Sequence, residues 1–191
     1  MAGLIDRALL SPPAHVVDPG QVFTVGFGVT SPSGRRDITA TASYLTYEAA
    51  QNRVPDIPVS AWHRVSMTID VGNRRIPIKA NGVTGSYFAM LGAHASLGRA
   101  VLPDDDRPPV GAPVAVLSHS LWRSAFARDP NAIGKQIRFG ALSVEVVGVM
   151  PAGFSGHTAE RVDLWLPLST GMHDTPGWHR QARMAVVELG V

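Results

Sequence analysis

Cysteine is absent from this 191-residue chain, which excludes disulfide frameworks, thiolate metal centres and cysteine nucleophiles. Lysine is nearly absent too. Only Lys79 and Lys135 occur, and arginine supplies the remainder of the 17 basic residues. The arginines are scattered, and the adjacent pairs Arg35–Arg36 and Arg74–Arg75 each sit beside a glycine in a predicted turn. Despite a pI near 9.4, the formal net charge is only +2. A nucleic-acid surface needs a clustered basic stripe with aromatic platforms, and none is present, so no nucleic-acid partner is expected. No stretch approaches the roughly 20 apolar residues that span a bilayer. Met1–Ser11 also lacks the basic start and apolar run of a signal peptide, so the sequence as it stands reads as soluble. What is abundant is apolar: 45% hydrophobic against 17% charged residues, enough to bury a core and incompatible with a disordered chain.

The apolar residues are patterned for short strands and short helices. Residues 4–10 read as the end of a helix broken by Pro12 and Pro13. Alternation of Phe23, Val25, Phe27 and Val29 predicts a strand over Val22–Val29. Ser31–Arg36 is a turn by composition, and Ser43 precedes a helix with Tyr44, Tyr47 and Ala50 on one face. The clearest local signal is Val65, Met67, Ile69 and Val71, then Gly72–Asn73, then Ile76, Ile78 and Ala80: a tight β-hairpin. Ser86–Leu91 reads as a short helix stopped by Gly92. Residues 102–113, with Asp104–Asp106 and their prolines, read as an exposed loop. Val114–Leu117 is wholly apolar, as in a strand buried on both faces. Ser118 caps a helix striped by Leu121, Trp122, Ala125 and Phe126. Asp129–Pro130 opens another turn, Gln136–Phe139 and Ser143–Val149 form a hairpin around Gly140, and Leu164–Pro167 and Met184–Leu189 are further strands. Without regular β-α alternation, this mixture predicts an α+β fold.

Several patterns mimic active sites and fall short. Gly153–His157 resembles a serine-hydrolase elbow, with Asp163 as a paper triad partner to Ser155 and His157. The elbow needs glycine two places after the serine, however, and His157 stands there. Asp104–Asp106 lacks the alternate-residue spacing of a calcium loop and reads as a solvated acidic run. Gly134–Lys135 has neither the preceding glycine nor the following hydroxyl of a phosphate loop. Gly26–Phe27–Gly28 runs into Ser31 where a dinucleotide fingerprint needs glycine or alanine. None of the seven histidines has zinc-protease spacing, and His119 reads as a first-turn helix residue. No catalytic, cofactor-binding or metal-binding residue is assigned.

Five ordered blocks carry a resemblance: Val83–Arg99 (with Gly85-Ser86-Tyr87-Phe88, Leu91-Gly92 and Gly98-Arg99), Pro113–Trp122, Asp129–Ile137, Val146–Gly156 and Asp163–Pro167. In order and spacing the chain resembles the MacB-like periplasmic core domain of ABC transporter permeases, with looser similarity over Leu9–Val22 and Ser43–Asn52. The resemblance implies a two-lobe α+β domain. Residues 1–91 would form the first part of a β-α-β porter-like lobe, 92–179 an inserted mixed α/β sabre-like lobe, and 180–191 the start of the return, the first lobe being completed beyond Val191. It further implies a non-enzymatic role at the periplasmic or extracellular face of the bacterial inner membrane, as a soluble domain of a membrane protein. The expected partners are a separate cytoplasmic ATP-binding cassette ATPase, a second permease copy and a periplasmic adaptor, with no cofactor. The competing reading is a free-standing extracytoplasmic module that binds peptide or lipid between its lobes.

Overall fold

A computed structural model of the chain describes residues 13–30, 33–39, 41–53, 55–158, 160–172 and 184–189. The helix expected over 4–10 lies outside them. The α+β architecture is the observed one, dominated by sheet. Its spine is the predicted hairpin. Strand β5 (Val59–Val71) and β6 (Arg74–Val83) pair from Trp62↔Val83 to Val71↔Arg74. Gly72, at φ 58, takes the first position of the two-residue turn, a conformation open to glycine without strain. At about 3.3 Å per residue, β5 is on the order of 40 Å long.

Before the hairpin come β1 (Val22–Thr24), β2 (Phe27–Thr30), β3 (Arg36–Thr39), β4 (Thr41–Ala42) and α1 (Tyr44–Arg53). The single strand expected over Val22–Val29 is therefore two. β1 joins the main sheet beside β12 (Met184–Leu189), while β2 leaves to pair with β3. The break falls at Gly26, where a Cβ would lie 2.9 Å from Cγ2 of the exposed Ile38 side chain as the ribbon folds back. Helix α1 buries Tyr44 and Tyr47 against Ala42, Val59 and Ala61 at the hairpin base.

Beyond the hairpin, α2 (Tyr87–Met90), β7 (Leu97–Gly98), β8 (Val114–Leu117), α3 (His119–Ala125), β9 (Gln136–Phe139), β10 (Leu142–Val149), β11 (Leu164–Pro167) and α4 (Leu168–Gly171) follow. The sheet closes on itself. β6 pairs β11, β11 pairs β8, β8 pairs β10, β10 pairs β9, and β9 returns to β5 through Asp70↔Arg138. The closed barrel is filled by Ile69, Ile78, Leu117, Ile137, Val144, Val146, Leu164 and Leu166, and α3 packs Leu121, Ala125 and Phe126 against that core. The Ser118 side chain accepts the Leu121 N–H at the N-cap, as its position predicts. Strand β8 is buried on both faces: Ala115 and Leu117 turn into the barrel, Val114 and Val116 toward α2 and Trp165.

Pro77 sits on the stretch of β6 beyond the reach of β11, where a strand tolerates a missing N–H. Register shifts between Val146 and Gly148, a bulge that sends Val146 and Val149 inward and Val147 outward. The bulge is possible because position 148 carries no side chain: a Cβ there would lie 1.9 Å from the Arg99 carbonyl oxygen, and one at Gly98 would lie 2.2 Å from that of Val147.

Gly148→Ala is therefore expected to cost about 2–4 kcal/mol and to lower Tm by several degrees or more. Gly20→Ala, with nothing within 4 Å of the new methyl group, should be nearly neutral. Urea and thermal unfolding of both variants check this, and equal effects would show that β7 and β10 do not cross so closely.

Candidate functional site

Four of the five resemblance blocks contribute to a core around α2 (Asp129–Ile137 packs in the barrel instead), at a junction between the hairpin base, the 99–112 segment, α4 and the 150–163 segment. Each piece is tied to the next by buried polar contacts. The base is laced by hydroxyls: Thr84 Oγ1 accepts the Ala61 N–H at 3.0 Å, Ser86 Oγ donates to the Val59 carbonyl at 3.0 Å, and Ser60 Oγ lies 2.8 Å from Ser86 Oγ.

The 99–112 segment is a strap rather than an open loop. Arg99 grips Asp105 with two nitrogens, at 2.5 and 3.0 Å, and the same carboxylate accepts the Leu102 N–H at 2.8 Å. Asp106 accepts from the Ser169 N–H and hydroxyl at 2.8 and 2.6 Å, and from the Gly85 N–H. Thr170 Oγ1 donates to the Ala112 carbonyl at 2.7 Å. The expected solvated acidic run is thus corrected. Asp105 and Asp106 are each only 7% exposed, and Asp104 alone faces solvent, paired with Arg107. The run folds inward because a salt bridge and N–H and hydroxyl donors meet the two inner carboxylates. Burial pushes the Asp106 pKa above the usual carboxylate value, while its hydrogen bonds from Ser169 and Gly85 pull the other way. The strap passes so near Gly85 that a Cβ there would lie 2.3 Å from Pro103 Cα, which gives the first glycine of the Gly85-Ser86-Tyr87-Phe88 block its physical reason.

On the other side of α2, aromatic rings pack against one another, two of the three pairs edge to face and Phe154–Trp165 tilted. Tyr87 meets Phe88 at 5.3 Å, Phe154 meets Trp165 at 5.3 Å, and Trp62 meets His157 at 4.8 Å. Tyr87 Oη lies 2.8 Å from His157 Nδ1, within hydrogen-bond distance, and accepts the His157 N–H at 3.2 Å. Burial, and secondarily the charge of Arg64, hold the His157 pKa down at about 4, so the ring beside Tyr87 is neutral near pH 7. Burial also raises the Tyr87 pKa. Gly156 makes room for this pair, since a Cβ would lie 2.5 Å from Tyr87 Oη.

The three paper-triad residues are engaged elsewhere. Ser155 donates its hydroxyl to the Thr158 carbonyl at 2.6 Å, His157 holds Tyr87, and Asp163 accepts from Arg161 and from the Lys79 N–H. His119 opens α3 and stacks on Trp122 at 5.6 Å. Lys135 pairs with Asp129, lowering that carboxyl's pKa. Among the described residues no three His, Cys, Asp or Glu side chains gather as metal ligands. What the junction can do chemically is hold four segments in fixed relation. The buried Asp106 and the Tyr87–His157 pair had no local signal, because each joins residues brought together only by the fold, whereas the Arg99–Asp105 grip lies within one short segment whose composition reads as solvated.

The family model of the MacB-like periplasmic core domain matches residues 1–189. The macrolide export ATP-binding/permease proteins MacB of Salmonella paratyphi A and Salmonella typhi are each 32% identical over 108 residues, which is 55% of this chain and 16% of theirs. The periplasmic region of MacB from Actinobacillus actinomycetemcomitans superposes with a TM-score of 0.66 at 21% identity, over 90% of this chain and 74% of that one. The extracellular domain of the noncanonic ABC-type transporter YknZ from Gram-positive bacteria gives 0.65 at 17%, over 89% and 83%. A domain of a putative permease from Porphyromonas gingivalis gives 0.65 at 16%, over 95% and 76%. At these identities the three structures establish the shared fold.

The depressed His157 pKa has a definite sign. The unfolded chain takes up the proton near the ordinary value of about 6.5, the folded one only near 4. Stability from this ring is complete above about pH 6.5 and lost as pH falls toward 4, at up to roughly 1.4 kcal/mol per pH unit. Urea unfolding between pH 7 and 4.5 should show a smaller loss in His157→Gln than in the parent chain; identical slopes would mean that this ring is not the responsible group.

Proposed function

Because the chain belongs to the MacB-like periplasmic core domain family, we propose that it is the extracytoplasmic domain of an ABC-type transporter permease and relays ATP-driven motion of membrane helices to substrate export or partner control outside the membrane. The observation that carries this reading is the junction: four segments drawn from residues 59 to 171 are pinned by buried polar contacts and packed rings, an arrangement suited to transmitting force. No helix among the described residues is long and apolar enough to cross a membrane. In this reading the membrane helices belong to the parent permease.

Residues 1–91 and 180–191 would contribute to a porter-like lobe and 92–179 to an inserted sabre-like lobe. In this division the boundary would fall between α2 and β7 and the hairpin would reach across it; Ile69, Ile78 and Ala80 pack in the barrel while Val59 and Ala61 pack on α1. Motion of the porter-like lobe would thus reach the barrel through β5 and β6. ATP hydrolysis would take place on a separate cytoplasmic ATPase, with a second permease copy alongside and a periplasmic adaptor as a further partner.

The reading is tested with a spin label at Asn73, the exposed hairpin turn, introduced as Asn73→Cys in a parent permease otherwise free of cysteine. Pulsed electron paramagnetic resonance on the permease–ATPase complex in nanodiscs should show the distance between the two labelled copies shifting by several ångströms between nucleotide-free and ATP-trapped states. Identical distributions would overturn the relay.

A further inference from the structure

The outer face of the hairpin carries unspent chemistry. Arg64, Asn81 and Trp165 are in-register neighbours on β5, β6 and β11, and Trp62 precedes Arg64 by one strand repeat on the same face. The guanidinium of Arg64 lies 5.4 Å over the Trp62 ring. Five atoms of these four side chains are buried without a hydrogen-bond partner among the described residues: Trp62 Nε1, Arg64 Nε, Arg64 Nη2, Asn81 Oδ1 and Trp165 Nε1. Asn81 is 2% exposed and Trp165 fully buried. Folded proteins leave few such groups, each at a cost of about 1–3 kcal/mol. Four of the five are N–H donors. Water serves donors and acceptors in equal measure, whereas the two free nitrogens of a guanidinium lying over an indole with its own free N–H suit an oxyanion. Nε and Nη2 form the edge of arginine that takes a carboxylate in two parallel bonds, and the remaining nitrogen, Nη1, is held by Glu160, an exposed residue of the 150–163 segment.

Beyond the Arg64–Asn81 row, the same face opens into a groove of about 630 Å³ lined by Ser66, Thr68, Pro77, Lys79, Arg161 and Asp163. Two cations (Lys79 and Arg161) line it with one carboxylate (Asp163), and Arg64 stands two residues before Ser66 on the same face of β5. Asp163 is already bound by Arg161 and the Lys79 N–H, and Glu160 touches Arg64 at one nitrogen only. A groove of this volume accommodates several residues of extended chain rather than a lone ion.

We propose that this face binds an acidic peptide segment. One of its carboxylates displaces Glu160 and seats on the Nε–Nη2 edge of Arg64 over Trp62, and the chain lies in the groove between Lys79 and Arg161. Glu160 is the resident group that keeps the site closed. The proposal stands independently of the transport reading, since it rests on the unpartnered donors and the charge of the groove.

The probe is a blocked heptapeptide of glycine and serine with one central glutamate, set against the same peptide with glutamine. Binding is read from the indole N–H resonances of Trp62 and Trp165. The glutamate peptide should shift both saturably, with the glutamine peptide weaker by about fivefold or more. Arg64→Lys keeps the charge but loses the two-nitrogen edge, and should weaken binding by about the same factor. Glu160→Gln, an exposed change that leaves the fold intact, should tighten it severalfold. Equal responses to the two peptides, or unchanged affinity in Glu160→Gln, would overturn the proposal. So would sodium acetate binding as well as the peptide, which would mean a small-ion site without a peptide groove.

Discussion

One antiparallel pairing underlies everything else in this domain. β5 and β6 are long enough for their base to be packed by one core and their tip by another. At the base, Val59 and Ala61 meet α1. At the tip, Ile69, Ile78 and Ala80 help fill a barrel whose other strands lie more than 30 residues downstream. The hairpin is local in sequence, closed by Gly72–Asn73, and needs little chain entropy to form. The barrel strands gain a template from it: β11 adds to β6 in parallel, β9 to β5 at a single bridge. Neither core could be completed without the same two strands.

The strap shows how a charged run can be interior. Two aspartates side by side repel each other and lose hydration when buried. Here they diverge. Asp105 turns to the guanidinium of Arg99, and Asp106 turns the other way to hydroxyl and amide donors from Ser169 and Gly85. This division explains why Gly98-Arg99 and Gly85 belong to one pattern although 13 residues separate the first glycine from the second. Gly85 lets the strap approach, Gly98 lets β7 cross β10, and Arg99 secures the strap between them.

Much of the fold was legible because it is written in local periods. The hairpin turn, the doubly buried β8, the Ser118 cap and the halt of α2 at Gly92 each follow from alternation, capping or left-handed glycine within a dozen residues. The break at Gly26 and the burial of Asp105 and Asp106 were not, since composition marks Gly26 as strand and the aspartates as solvent-facing, and only the pairing of β2 with β3 and the approach of Arg99 and Ser169 decide otherwise. The junction was half visible. Its glycines and rings stood out as a pattern, but the contact of Tyr87 with His157, 70 residues apart, belongs to tertiary structure alone.

The bridge that closes the barrel has a mechanical meaning. A seamless tube resists twisting far more than the same tube slit along its length, and here the seam is held by the one pair Asp70↔Arg138. Opening it would leave every other strand pairing in place while turning a torsionally stiff cylinder into a curled, compliant ribbon. The bridge that closes the ring of strands thus lies next to the hairpin turn, at the end of β5 farthest from α1, with the side chains of Ile69 and Ile137 packed in the core behind it.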